Sequence, residues 1–219
     1  MKRQKKEKEK EKEKEKEKVR ITVLVSGGGT NLQAVIDGIE SGMIRNAEIV
    51  RVISSNPEAY SLERAKKHRI GSMIIGKTNY PDAEERTNAI IAALDEVNTD
   101  LVILAGYMSI LEPKLIEAYR GKIINIHPSL IPKYCGAGFY GKHVHEAVLA
   151  AGECESGATV HYVDEGVDTG PVIIQEKVPV LKGDTAETLA ARVLETEHKI
   201  LQEAVRKIAA AIYSEKGEQ

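Results

Sequence analysis

The chain has 219 residues, 29% of them charged, and a formal net charge of −2. It contains no apolar stretch near the roughly 20 residues a membrane-spanning helix needs, and its N-terminus lacks a signal peptide's apolar region, which predicts a soluble cytoplasmic protein. The two cysteines, Cys135 and Cys154, form no CxxC pair and suggest no disulfide framework, as in a reducing compartment.

Residues 1–18 hold ten Lys or Arg against six Glu, so a total of −2 leaves residues 19–219 with −6. Alternating Lys and Glu give this segment no face to bury, whether as helix or strand. It reads as a solvated, disordered arm, native or an added solubility sequence, and its interleaved Glu argue against nucleic-acid binding. An acidic body is a poor general phosphate binder, so any phosphate must be held locally.

Short apolar runs then alternate with amphipathic ones. Residues 20–26, 47–54, 72–75, 100–105 and 122–125 are predicted strands, covered on both faces, and 31–41, 61–68, 83–97 and 113–119 are predicted helices. That alternation implies an α/β fold with a doubly wound, mostly parallel sheet and right-handed crossovers. After residue 150 the pattern changes. Residues 157–163 and 171–180 alternate as an antiparallel hairpin, and 186–213 form a C-terminal helix. A single domain over 19–213 and a tail over 214–219 follow.

In such a sheet ligands gather where loops leave the carboxyl ends of strands. Three predicted loops meet that condition: 27–30, 106–111 and 125–132, with the hairpin loop 164–170 able to close over them. The first, SGGGTN, joins a strand to a helix, where glycines let an anion approach the backbone and the helix start offers free N–H groups. It is neither a Walker loop nor GxGxxG, and it suits a sugar phosphate better than ATP or NAD. A plain tight turn with Thr30 as helix cap is the other reading.

At residues 125–132 the chain reads NIHPSLIP, and Asp168 follows in VDEGVDTGP. Asn125, His127 and Asp168 supply an amide donor, an imidazole and a carboxylate, the set that acyl transfer to an amine requires. On residue types alone, a buried His and a turn Asp are the favoured reading. Pro128 and Pro132 are expected to fix the loop that aims His127. No G-x-S-x-G elbow and no cysteine with a base partner points to a covalent enzyme intermediate. Cys135, His143 and His145 offer only three ligands in a spacing that matches no common metal site, so no metal is expected. His161 either supports the reacting groups or sits satisfied in the sheet; His68 and His198 are read as surface or helix-end residues, although His198 could assist Glu197.

SGGGTNLQ at 26–33, NIHPSLIP and GVDTGP, in that order, resemble the formyltetrahydrofolate-dependent formyltransferase family, over about residues 19–211. The resemblance implies a Rossmann-like formyltransferase fold, 10-formyltetrahydrofolate as cosubstrate, and the amine of glycinamide ribonucleotide as acceptor. It implies no nucleic acid or membrane partner, and a monomer or homodimer. By the same resemblance, Gly28, Gly29, Thr30 and Asn31 hold the phosphate, and Glu197 accepts the ribose hydroxyls. Met108, Ser109, Ile110 and Leu111, with Asn125, Asp164 and Asp168, meet the folate. Without the resemblance, Met108, Ile110 and Leu111 would be ordinary core residues. Asn125 and protonated His127 would stabilise the oxyanion, while Asp168 raises the His127 pKa and helps relay the amine's proton.

The chain departs from many relatives at Ser109, where an Arg is usual, at Leu194, where some carry a Lys or Gln near the phosphate, and in a longer 134–146 segment. Lys77 and Arg86 are candidates for meeting the folate's glutamate carboxylates. Hydrolysis of the same donor and a non-catalytic folate or nucleotide sensor are the competing functions. Formylation of methionyl-tRNA is disfavoured by the acidic body and the lack of an added tRNA-binding domain.

Overall fold

The computed structural model describes residues 17–217. The arm expected at the N-terminus therefore lies outside the described residues, except for Glu17 and Lys18, which are exposed and belong to no element. In chain order the elements are β1 (Val19–Val25), α1 (Thr30–Glu40), β2 (Ala47–Ser54), α2 (Tyr60–Lys67), β3 (Ser72–Ile74), α3 (Ala83–Glu96) and β4 (Leu101–Leu104). They continue with α4 (Pro113–Ala118), β5 (Ile123–His127), α5 (Lys142–Ala150), β6 (Glu155–Tyr162), β7 (Val172–Pro179) and α6 (Ala186–Lys216).

The strands form one sheet in the order β3-β2-β1-β4-β5-β6-β7. Strands β1 to β5 pair in parallel, and β6 is antiparallel to both β5 and β7. The apolar run of β4 is buried at every position, as a central strand between two helical layers must be. Val35 of α1 and Leu189 and Val193 of α6 pack against one face; Leu94 of α3 and Leu115 of α4 pack against the other. Covering on both faces fails at β3, where Ser72, Met73 and Ile74 are all exposed, because this strand is the sheet edge.

Two helices needed tertiary information. No bounds for α5 are legible in the apolar pattern, because it buries only Val144, His145 and Val148. The last helix begins at a capping box formed by Thr185 and Thr188 and runs past the expected end at Tyr213 to Lys216. There Lys216 Nζ donates to Asp100 Oδ2 at 2.6 Å, which ties the final turn to the start of β4.

The strand order reverses between β1 and β4, and the loops leaving those strands and β5 diverge to open a crevice at their carboxyl ends.

Candidate active site

Strand β5 has a two-residue side-chain period, so Asn125 and His127 project from the same face. Antiparallel pairing sets His161 of β6 opposite Asn125. Asp168 arrives from the β6–β7 loop, its backbone in the left-handed region at φ +59°. The sequence-distant groups converge: Asn125 Nδ2 donates to Asp168 Oδ1 at 3.3 Å, and His127 Nδ1 lies 3.6 Å from Asp168 Oδ2. Both His127 and His161 are buried.

Backbone contacts fix the imidazoles. His127 Nε2 donates to the Tyr134 carbonyl at 2.9 Å, which leaves Nδ1 as the nitrogen facing Asp168. His161 Nδ1 donates to the Tyr162 carbonyl at 2.8 Å, so its Nε2 accepts from Asn125 Nδ2 at 3.1 Å. Gly136 N donates to Asp168 Oδ2 at 3.0 Å. The Tyr134 carbonyl and Gly136 N–H, both in a loop whose sequence carries no motif, are site components that residue-type reasoning missed. His161 is satisfied within the sheet and also touches Asn125, so both of its readings describe its place.

The electrostatics correct one expectation. Burial pushes the His127 pKa down, and that effect exceeds the upward pull of Asp168 and the Tyr134 carbonyl; the nearby His161 adds to the fall. Asp168 does raise the value, but the net direction is below the ordinary 6.5 because removing the charged imidazole from water costs more. For Asp168, burial acts upward, yet the two imidazoles and the Gly136 N–H outweigh it and hold the carboxyl below its ordinary range. At neutral pH the pair is therefore a carboxylate beside a neutral imidazole.

These groups stand in a cavity of about 540 Å³ whose wall includes Asn125, His127, His161 and the hairpin segment from Asp164 to Asp168. Met108, Ser109, Ile110 and Leu111 line it too. Met108 and Ile110 are 54% and 73% exposed, so they are pocket residues rather than core; Leu111 belongs to both. Gly136 to Gly141, with Phe139 and Tyr140 among them, complete the wall. Neither Lys77 nor Arg86 is part of it: Arg86 donates instead to the Tyr80 carbonyl at 2.9 Å.

The glycine turn and Glu197 stand outside that wall, toward β1. A hydrogen bond of 2.9 Å from Met108 N to Ser26 Oγ joins the two regions. Gly29, at φ +71°, occupies the cap position of α1 with no side-chain cap, so Thr30 is the first helical residue rather than the cap. Asn31 Nδ2 donates to Glu197 Oε2 at 2.7 Å in a buried pair, and Asn31 Oδ1 has no partner. Burial pushes the Glu197 pKa up, against the Asn31 hydrogen bond. His198 is half-buried rather than on the surface: burial lowers its pKa, Asp37 opposes that, Arg64 reinforces it, and Glu195 opposes it. His68 does sit at a helix end, with Nδ1 2.7 Å from Glu40 Oε1.

Among the described residues no cluster of three or more His, Cys, Asp or Glu is arranged to hold a metal ion. Cys135 Sγ donates to the Pro132 carbonyl at 3.4 Å, His143 is exposed beside Glu146, and His145 is buried. No helix among the described residues is long and apolar enough to cross a membrane.

An open α/β sheet with an amide, an imidazole and a carboxylate in a crevice at the carboxyl ends of its parallel strands defines the class, and comparison agrees: residues 19–205 match the formyl transferase family, to which this chain belongs. Similar proteins carry names from purine biosynthesis. The chain is 44% identical to the phosphoribosylglycinamide formyltransferase of Haemophilus influenzae over 81% of each protein. It is 46% identical to the trifunctional purine biosynthetic protein adenosine-3 of Drosophila pseudoobscura pseudoobscura, over 85% of this chain but only 13% of that much longer protein. The crystal structure of glycinamide ribonucleotide transformylase 1 from Symbiobacterium toebii superposes with a TM-score of 0.83 at 40% identity, covering 89% of each chain.

Proposed function

We propose that the chain transfers the formyl group of 10-formyltetrahydrofolate to the amine of glycinamide ribonucleotide, a step of purine biosynthesis. The observation that carries this reading is the convergence of Asn125, His127 and Asp168 inside a cavity whose Met108 is hydrogen-bonded to Ser26, the residue that leads into the glycine turn. Strands β1 and β5 flank β4, so their ends stand about 10 Å apart, a span suited to an acceptor with a phosphate at one end and an amine at the other.

In this reading the phosphate meets the free N–H groups of Gly28 to Asn31 at the start of α1, and Glu197 accepts from the ribose. The folate enters between Met108–Leu111 and Asp164–Asp168, with its planar ring against apolar side chains. Ser109 has no cation to offer the donor's tail, and the cavity-lining residues include no Lys or Arg.

The amine nitrogen bonds to the formyl carbon as the carbonyl electron pair moves onto oxygen. Asn125 spends its two N–H bonds on His161 and Asp168, and the longer, to Asp168, is the one the forming oxyanion replaces. As negative charge builds, His127 becomes more basic, and the proton lost by the amine, relayed through Asp168, ends on Nδ1. The resulting imidazolium lies between the Tyr134 carbonyl and the Asp168 carboxylate. Collapse breaks the bond to the folate nitrogen, which takes the proton held on His127 Nδ1 and leaves as tetrahydrofolate, returning the imidazole to its neutral form.

Mixing the protein with both substrates and following the folate absorbance tests this. Donor consumption is expected only with glycinamide ribonucleotide present. Equal consumption without it would identify a hydrolase, and none under either condition a sensor.

A further inference from the structure

The glycine turn is held from one side by α2. Gly27 O accepts from Ser61 N at 3.1 Å, and Gly28 O accepts from Arg64 Nε at 2.8 Å. In a trans peptide the N–H points opposite to the C=O, so these two bonds turn the N–H groups of Gly28 and Gly29 away from α2 together. Space is open beside them: a Cβ built on Gly27 or Gly28 meets nothing within 4 Å. On the α2 side there is none, since a Cβ on Gly29 would lie 2.6 Å from Ser61 Cβ.

Arg64 is held beside this turn by neutral partners. Its NH1 donates to Gln33 Oε1 at 3.1 Å and its guanidinium stands 5.1 Å from the centre of the Tyr60 ring, so it is fixed without a carboxylate. Unmet polar atoms are concentrated on the residues packed about this turn. Of the five buried side-chain polar atoms without a partner among the described residues, Asn31 Oδ1, Ser61 Oγ and His198 Nε2 belong to residues around the turn. Native interiors rarely leave such groups unmet.

We propose that Arg64 is a positioning residue for the acceptor's phosphate: its Nε–H fixes the Gly28 carbonyl, and so presents the Gly29 N–H to the anion. This rests on the functional reading above and extends it to a residue outside the reacting centre. The hydrogen bond, rather than the net charge, is the operative feature.

Two substitutions separate those features. Arg64→Gln keeps an N–H donor the same number of bonds from the backbone as Nε but removes the charge; Arg64→Met removes both and keeps the bulk. The readouts are the binding of inorganic phosphate by calorimetry and the steady-state constants, with thermal unfolding to check that each variant folds. Arg64→Met is expected to weaken phosphate binding and raise the KM for glycinamide ribonucleotide about tenfold, with kcat and the folate KM unchanged. Arg64→Gln is expected to restore both to within about threefold of the parent. Phosphate binding by Arg64→Met equal to the parent, no phosphate binding by the parent, or Arg64→Gln no better than Arg64→Met would each overturn the proposal. A parent that binds phosphate in this pattern yet formylates no glycinamide ribonucleotide would remove the substrate reading and leave the role of Arg64 standing.

Discussion

His127 Nδ1 faces Asp168 Oδ2 across 3.6 Å, while the opposite ring nitrogen is held by the Tyr134 carbonyl at 2.9 Å. The imidazole thus has one fixed proton and one open nitrogen, beside a carboxylate that burial does not neutralise. In the proposed mechanism it is a proton acceptor rather than a resident cation, and its charge develops with that of the oxyanion.

In the proposed mechanism His127→Ala removes the oxyanion's cationic partner but leaves the Met108–Leu111 wall and the glycine turn in place. The kcat is expected to fall by a factor of about 10²–10³, as for loss of one such stabilising group, with substrate dissociation constants little changed. Single-turnover rates together with equilibrium binding measure the two quantities. Near-parental turnover would show that residue 127 does not meet the oxyanion.

For Asp168→Asn the pH profile carries the sign. Asp168 raises the His127 pKa against the larger lowering by burial, so its loss moves that pKa further below 6.5. The acidic limb of kcat/KM follows neutral His127 in this mechanism, so it is expected to shift to lower pH while the plateau drops. Limbs that coincide in variant and parent would contradict the coupling. Stability gives an independent check. A histidine whose folded pKa is depressed lets the unfolded state take up protons first, so its contribution declines as pH falls from 6.5 towards the folded value. In Asp168→Asn that window extends further into acid, which denaturant titrations between neutral and acid pH would detect.

Glu197→Gln distinguishes a binding carboxylate from a structural one. Burial raises the Glu197 pKa, so its ionised form is held in the fold at a cost that the amide avoids, and the amide oxygen can still accept from Asn31. Unfolding midpoints are expected to stay level or rise, while the KM for glycinamide ribonucleotide rises about tenfold through the lost ribose acceptor. A destabilised variant with an unaltered KM would assign Glu197 to the core alone.

Gly29→Ala meets two obstacles at once. The residue sits at φ +71°, and the added methyl would lie 2.6 Å from Ser61 Cβ and 2.9 Å from Ser61 Cα. The left-handed conformation alone costs a non-glycine residue about 1–2 kcal/mol, and the displacement of α2 adds to it. Denaturant unfolding is expected to show that loss, and phosphate binding to weaken with it. Unchanged stability would mean that the turn tolerates a different path.

By itself the sequence determined the alternation of strands and helices, the hairpin after residue 150, and the residue types of the proposed reacting centre. Each of these is a local signal: β-branched runs, helical periodicity, glycines after a strand, and a polar trio in two short motifs. Even the shared face of Asn125 and His127 follows from the two-residue period of a strand. Tertiary structure alone decided the rest. The pairing of His161 with Asn125, the Tyr134 carbonyl on His127 and the grip of Arg64 on Gly28 join residues between 7 and 36 positions apart, through backbone atoms and strand registers that side-chain identity does not encode. The ionisation of His127 was likewise undecidable from its neighbours' identities, because desolvation depends on how completely the folded chain excludes water, and here it outweighs the carboxylate that the motif supplies.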